Sequence, residues 1–281
     1  KDHCRRRKFL MKNEKHEKER SMLLVIDIGN TNIVFGVYNE GKLLNNWRLS
    51  TVIQKTHDEY AILLNSLLYI EKIKLSEIGA AIISSVVPPL LIPFELLCRK
   101  YVGIRPILVE PGIKTGMPIL YENPQEVGAD RIVNAVSAYE KHKRALIVVD
   151  FGTATTFDYI TPRGEYAGGA IAPGIKISLE ALFEKASKLP RVELVKPKTL
   201  VGKNTVHAMQ SGIVYGYVGL VDGIINKMKE EVRTDPYVVA TGGLSTLMYR
   251  ESSSIDEVDE YITLHGLKIL YDRNKDSHKF K

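Results

Sequence analysis

Two aspartates 123 residues apart open the same run of side chains. Asp27 closes the apolar stretch Leu23 to Asp27 and is followed by Gly29-Asn30-Thr31-Asn32; Asp150 closes Leu146 to Asp150 and is followed by Gly152-Thr153-Ala154. A strand ending in Asp, then a tight turn with glycine and small hydroxyl or amide residues, offers backbone N–H groups to a phosphate while the carboxylate faces the accompanying cation. A single copy reads equally as a β-hairpin in which the Asp caps turn amides and Asn30 takes a left-handed conformation. Two copies suit two jaws that hold the phosphates of a nucleotide, with Asp27 beside the divalent ion, Thr31 and Thr153 donating to phosphate oxygens, and Asp150 beside a cation. Ala240-Thr241-Gly242-Gly243 follows a later strand, and its glycines permit close backbone approach to a flat ligand such as adenine or ribose. An ordinary strand-to-helix turn has the same composition. No Gly-x4-Gly-Lys-Ser/Thr and no Gly-x-Gly-x2-Gly occurs, which disfavours P-loop and dinucleotide folds.

The elements that must position these residues repeat as well. After Asp27 come the run Ile33 to Tyr38, the tip Asn39-Glu40-Gly41 and the run Leu43 to Leu49; after Asp150 come a run through Ile160 and the tip Pro162-Arg163-Gly164 before a third strand. Gly41 lies 14 residues after Asp27, and Gly164 lies 14 after Asp150. The spacing predicts two three-stranded meanders in matching register, an internal duplication. Helical spacing follows at Asp58 to Ile70, from Pro88-Pro89, and at Val127 to Tyr139, Ile175 to Ala186, Thr205 to Val232 and Ile262 to Asp272; Ala80 to Val87 and Tyr237 to Ala240 read as strands. This alternation is α/β. The expected organisation is a tail at 1–21, domains at 22–142 and 143–274 packed with a cleft between them, and a polar C-terminal tail at 275–281.

Composition narrows the function classes. The chain has 281 residues, 44% hydrophobic and 26% charged, as expected of a soluble globular protein with room for two ordinary cores. Residues 1–20 hold nine Lys/Arg against four Asp/Glu and so carry +5 of the +6 net charge; the remainder has 30 basic and 29 acidic side chains. A general attraction to nucleic acid or anionic lipid is therefore not expected. The tail lacks an apolar core, so it is read as neither a secretory signal nor a membrane span, but as a disordered extension ahead of Met22. Cys4 and Cys98 make no disulfide framework or zinc cluster, and the seven His have no metal-ligand spacing, which fits a reducing cytoplasm.

Taken together, Asp27-Ile28-Gly29-Asn30-Thr31, Gly128-Ala129-Asp130-Arg131, Asp150-Phe151-Gly152-Thr153-Ala154 and Ala240-Thr241-Gly242-Gly243 resemble type III pantothenate kinase. Pro111-Gly112 with Thr115-Gly116, Tyr121-Glu122-Asn123-Pro124, Gly202-Lys203-Asn204-Thr205 and Gln210-Ser211-Gly212 add to the resemblance, which spans about Met22 to Asn274. Lys114 and the segment Asp259 to Leu264 depart slightly from the family pattern. The resemblance implies the duplicated actin-like (ribonuclease H-like) ATPase and sugar-kinase fold, and ATP-dependent phosphorylation of pantothenate to 4′-phosphopantothenate, the first committed step of coenzyme A synthesis.

It also implies roles. Asp130 would be the general base, with positioning counting for more than a raised pKa because phosphoryl-transfer transition states are loose. Asp27, Ile28, Gly29, Asn30, Thr31, Asn32, Ile33, Val34, Thr153, Gly242 and Gly243 would contact ATP. Tyr121, Gly128, Ala129, Asp130, Arg131 and Thr205 would contact the substrate. Asp150 would coordinate potassium or ammonium, and Asp27 would lie near magnesium. Without the motif, Asp130 reads as a helix N-cap or an Asp–Arg pair, Arg131 as a solvated helix residue, Tyr121 as loop packing and Thr205 as an N-cap. The family also implies a homodimer, and the spacing Gly-x3-Gly-x2-Gly in Gly212 to Leu220 suits a close helix contact; the cysteines and the charge balance lead to the expectation of a cytoplasmic protein with no nucleic-acid or membrane partner. Two other functions remain open from sequence: a nucleotide-binding regulatory or accessory protein, and a kinase of another small hydroxylated metabolite.

Overall fold

The computed structural model describes residues 21–278. The basic tail expected at 1–20 lies outside the described residues, as do 279–281.

The described residues divide into two compact units: 21–116, 128–133 and 263–278 in the first, 117–127 and 134–262 in the second. The first contains β1 (Met22–Ile28), β2 (Asn32–Asn39), β3 (Lys42–Ser50), α1 (His57–Ile70), β4 (Ile78–Ser85), α2 (Pro88–Leu97) and β5 (Ile107–Leu108). Helix α3 (Ala129–His142) begins in the first unit and continues in the second. The second contains β6 (Leu146–Phe151), β7 (Ala154–Ile160), β8 (Tyr166–Pro173), α4 (Ile175–Lys185), α5 (Thr205–Val232), β9 (Tyr237–Thr241), α6 (Ser245–Tyr249) and β10 (Glu257–Val258). The last helix, α7 (Ile262–His278), belongs almost wholly to the first unit.

The two sheets have one topology. The first runs β3-β2-β1-β4-β5 and the second, from its other edge, β8-β7-β6-β9-β10. In each, three strands form an antiparallel meander, and the first of them pairs in parallel with a later strand that itself pairs in parallel with a two-residue strand. The duplication read from Asp27 and Asp150 is thus a duplication of the frame, and the α/β, actin-like expectation holds. At the first meander tip Glu40 and Gly41 both take positive φ, as a tight hairpin requires.

Alternation along the first strands decides which side chains face the core. Leu24, Ile26 and Ile28 join Tyr60 and Leu64 of α1 and Leu90 and Phe94 of α2 in one apolar cluster. Ile147, Val149 and Phe151 join Ile175 of α4 and Val221 and Ile225 of α5 in the other. Each fully buried side chain of this kind is worth roughly 1.5–3 kcal/mol, so packing rather than the turns fixes the strands. With a period of two, Asp27 and Asp150 must project from the opposite face of their sheets. Local signals set the helix starts: Thr56 and Glu59 form a capping box before α1, and Pro88-Pro89 opens α2.

Two boundaries differ from the sequence reading. Helix α7 continues to His278, so residues 275–278 are helical where a tail was expected. Lys275 pairs with Asp272 and Ser277 accepts from Lys114, which gives the polar end of the helix partners. By contact, α7 also belongs with the first unit, whereas the division at 142/143 put it with the second: the buried Asn274 amide reads both backbone groups of Lys114, and Arg273 donates to the Thr115 carbonyl.

Candidate active site

In the first unit, Asp27 is the next-to-last residue of β1 and is half-buried. Its in-register neighbours are Val34 on β2 and Ser84 on β4, and Ser84 is fully buried. The turn that follows is tied down from within and from behind. Gly29 donates its N–H to the Asn32 carbonyl at 3.0 Å, Thr51 donates its hydroxyl to the Gly29 carbonyl at 2.6 Å, and the Thr51 N–H reaches the Thr31 carbonyl at 3.0 Å. Asn30 and Thr31 stand exposed on this anchored turn. Of the residues expected at the nucleotide, Ile28 and Ile33 place their side chains in the core, so only their backbone can face a ligand. Val34 and Asn32 are half-buried.

The start of α3 arrives at the same end of the sheet. Val86 donates its N–H to the Ile28 carbonyl at 3.0 Å, and a Cβ on Gly128 would lie 3.8 Å from Val86 Cγ1. Gly128 has a stricter reason to be glycine: that Cβ would lie 2.5 Å from Asp130 Oδ1. The Asp130 carboxylate occupies the side-chain space of the residue two before it. Its Oδ1 accepts the Arg131 N–H at 2.8 Å. Burial pushes the Asp130 carboxyl above the ordinary aspartate value, partly offset by the Arg131 backbone N–H and guanidinium. Asp130 is the second residue of α3, which is not an N-cap position. Arg131 is buried at 7% exposure, in contrast to a solvated helix arginine.

In the second unit, Asp150 is the next-to-last residue of β6 and is half-buried. It lies in register with Thr156 on β7 and Thr241 on β9. Asn134 of α3, buried at 2% exposure, donates Nδ2–H to Asp150 Oδ2 at 3.2 Å. Gly242 has φ of 89°, and a Cβ there would lie 2.5 Å from Asp150 Oδ1 and 2.7 Å from the Phe151 backbone. The turn after β6 repeats the first, with Gly152 N–H donating to the Ala154 carbonyl at 3.1 Å. Thr153 is exposed, and its carbonyl accepts from the N–H of Gly174 at 3.1 Å. Gly243 is exposed next to Gly242.

The structure thus brings Asp150 and Gly242 together, and brings Asp27 and the Gly128–Asp130 segment to one sheet end. Tyr121 and Thr205 occupy other parts of the second unit. Tyr121 follows a short bridge to the edge strand β8, formed by Leu120 N–H to the Tyr166 carbonyl and Tyr166 N–H to the Pro118 carbonyl, both 2.8 Å. Its ring packs 6.3 Å from that of Tyr166, whose hydroxyl donates to the buried Asp158 at 2.6 Å. Thr205 is the first residue of α5 and exposed; the cap is Asn204, which accepts the His207 N–H at 2.9 Å.

Sequence reasoning missed Asn134 and Gly174. Gly174 follows a strand and opens a helix after Pro173, a signal that was available; nothing in the sequence pairs Asn134 with a residue 16 positions away.

Among the described residues no group of three or more His, Cys, Asp or Glu could hold a metal ion by itself. Isolated carboxylates beside phosphate-accepting turns suit a hard cation that completes its oxygen shell with substrate phosphates.

Comparison with known proteins fixes the family. The family model described as type III pantothenate kinase matches residues 23–227. The type III pantothenate kinase of Geotalea uraniireducens (strain Rf4) is 62% identical over 256 residues, covering 91% of this chain and 100% of the relative. Among solved structures, a Baf family transcriptional activator from Campylobacter jejuni superposes with a TM-score of 0.57 at 20% identity, covering 90% of this chain and 99% of that one. A 2-dehydro-3-deoxygalactonokinase protein from Sinorhizobium meliloti gives 0.53 at 11% identity, covering 89% and 98%. The structural likenesses carry the fold alone; the full-length identity carries more, and on it the chain belongs to the type III pantothenate kinase family.

Proposed function

We propose that this chain phosphorylates pantothenate to 4′-phosphopantothenate at the expense of ATP, with Asp130 as general base. The observation that carries the activity is the 62% identity spanning the whole of a type III pantothenate kinase. The role of Asp130 rests on geometry: a half-buried carboxylate on the first turn of α3, at the sheet end that carries the Asp27 turn, held in the space that Gly128 leaves open. The primary hydroxyl oxygen of pantothenate attacks the γ-phosphorus as Asp130 takes the hydroxyl proton. The bond from the γ-phosphorus to the bridging oxygen breaks, and ADP leaves with that oxygen. A base raised above the ordinary aspartate range by burial holds the proton more firmly than a solvated one.

The family uses ATP with a divalent cation, and we assign magnesium to Asp27. When bound, it would supply positive charge that offsets the phosphate charge at this turn, with Asp27 as the side chain that holds it. We assign Asn30, Thr31 and Thr153 to the phosphates, a reading their exposure on the turns supports, and Gly242 and Gly243 to the nucleoside. Asp150 is assigned to a monovalent cation, potassium or ammonium. Arg131, Tyr121 and Thr205 are assigned to pantothenate. In sequence the two meanders are taken to divide at 142/143, with α7 returning to the first unit.

The same reading makes the protein a cytoplasmic homodimer. Helix α5 is the one described helix long and apolar enough to cross a membrane, with a third of its most apolar window buried. On its exposed face a Cβ at Gly212, Gly216, Gly219 or Gly223 would meet nothing within 4 Å. A second copy covering that stripe accounts for it without lipid, and light scattering showing a fully active monomer would refute the dimer. The regulatory alternative gains nothing from the Campylobacter jejuni structure, because 20% identity conveys a fold and not a function.

The deciding assay is ATP consumption with and without pantothenate, in sodium buffer and with potassium or ammonium added. Turnover requiring pantothenate is expected. A folded, ATP-binding sample that phosphorylates a different alcohol in an acceptor panel would transfer the same chemistry to another metabolite.

A further inference from the structure

We propose that Asn134 is a positioning residue that orients the Asp150 carboxylate for its monovalent cation; this rests on the reading of Asp150 given above. Asn134 sits where an apolar residue would be unremarkable, since its neighbours Val133, Ala135 and Val136 are all buried. An amide at 2% exposure is unfavourable unless its hydrogen bonds are made. The Asn134 amide makes one to Asp150 Oδ2, at 3.2 Å. Because a carboxylate can only accept, this contact also fixes which end of the amide faces it.

The opposite oxygen is limited by shape. Gly242 takes a positive φ and passes so close that a Cβ would lie 2.5 Å from Asp150 Oδ1. One oxygen is therefore held by a donor and the other bounded by backbone, which fixes the plane of the carboxylate. Thr156, in register beside Asp150, directs its hydroxyl to Asp158 at 3.3 Å. The choice of amide over a basic side chain has a consequence. Lysine or arginine at 134 would set a positive charge against Asp150 and compete with a cation, whereas asparagine bonds the carboxylate without adding a charge. A partner behind a metal-binding carboxylate typically changes metal affinity 10–100-fold when removed.

The test compares the wild-type chain, Asn134→Leu, Asp150→Asn and the double variant, titrated with potassium chloride at constant ionic strength against sodium chloride. Two readouts are taken: the rise in unfolding temperature with ATP but no pantothenate, where no turnover occurs, and pantothenate-dependent turnover. Asn134→Leu is expected to raise the potassium concentration for half-effect about tenfold or more in both, with a smaller loss at saturating potassium. In the double variant the loss should be no greater than in Asp150→Asn alone, because Asn134 acts through Asp150. Asn134→Ser serves if the leucine variant does not fold. A folded Asn134 variant with the wild-type potassium midpoint overturns the positioning role while leaving the cation reading intact. A wild-type protein that responds equally to sodium and potassium in both readouts overturns the reading of Asp150, and this inference with it.

Discussion

The ends of β1 and β6 are copies of one design that have diverged around their carboxylates. Both aspartates are next-to-last in their strands, both project away from an apolar core, and both precede a turn closed by a glycine N–H. Asp27, however, is flanked in its sheet by Val34 and Ser84, while Asp150 is flanked by Thr156 and Thr241, bonded by Asn134 and approached by Gly242. In register, the first carboxylate stands between a valine and a serine, and the second between two threonines with Asn134 and Gly242 against it. A carboxylate bonded from behind by a protein amide suits an ion that the protein itself must hold. The comparison teaches that duplication supplied the strand and the turn, and that the neighbours separate the two proposed roles.

The largest effect should fall on neither copy but on the proposed base between them in sequence. Asp130→Asn is expected to lower turnover by roughly 10²–10⁴ while leaving ATP affinity nearly unchanged, since the amide fills the same space but cannot accept the proton. Comparable loss of nucleotide binding, measured by calorimetry, would make Asp130 structural. The pH dependence has a definite sign. Because burial raises the carboxyl in the folded state, the acid limb of kcat/KM should lie above the ordinary aspartate range. For the same reason the native state binds this proton more tightly than the unfolded chain. Its stabilising contribution is full at low pH and lost as pH rises through the folded value. Asp130→Asn should therefore melt no lower than wild type at neutral pH, and its advantage should vanish in acid.

Swapping the two acids separates the copies. Asp27→Asn should raise the magnesium requirement for ATP binding by about tenfold or more and leave the potassium response in place; Asp150→Asn should do the reverse. Titrations of each variant with each cation check this, and a variant that loses both responses equally would dissolve the distinction.

Much of this was legible in the sequence for a physical reason: the meanders depend on period-two patterning and on turn glycines, which are local. Helix α5 was read to its ends because its apolar spacing is long and uninterrupted. The two-residue strands β5 and β10 and the five-residue α6 are too short for any period to register, and they exist through their neighbours. The end of α7 was misread because Lys275 and Ser277 look like a solvated tail until Asp272 and Lys114 are seen beside them. Arg131 looked solvated for the same reason, and the frame around Asp150 was invisible because Asn134 and Gly242 reach it only through the fold.

Glycine replacements test how tightly each carboxylate is framed. Gly242→Ala must place a methyl 2.5 Å from Asp150 Oδ1 at φ of 89°, where an L side chain costs about 1–2 kcal/mol before any clash. A fall of a few degrees in melting temperature and a weakened potassium response are expected. Gly29→Ala meets only the Asn32 carbonyl, at 3.0 Å, and has no contact of this kind with Asp27. Its effect should be smaller and confined to nucleotide binding. Equal losses in both variants, by thermal melting and cation titration, would mean that the two ends are framed alike.

The smallest expected effect completes the contrast. Ser84 stands beside Asp27 as Thr241 stands beside Asp150, but its fully buried hydroxyl has no hydrogen-bond partner among the described residues. Removing a buried polar atom that is already unsatisfied leaves no partner stranded, so Ser84→Ala should hold stability within about 1 kcal/mol or raise it. Asn134→Leu removes a donor that Asp150 uses and should not be neutral. If Ser84→Ala instead shifts the magnesium requirement as strongly as Asp27→Asn, measured by ATP binding across a magnesium series, then the serine meets Asp27 in the loaded protein. Ser84 would then act on Asp27 as Asn134 acts on Asp150, with a hydroxyl in place of an amide as the donor.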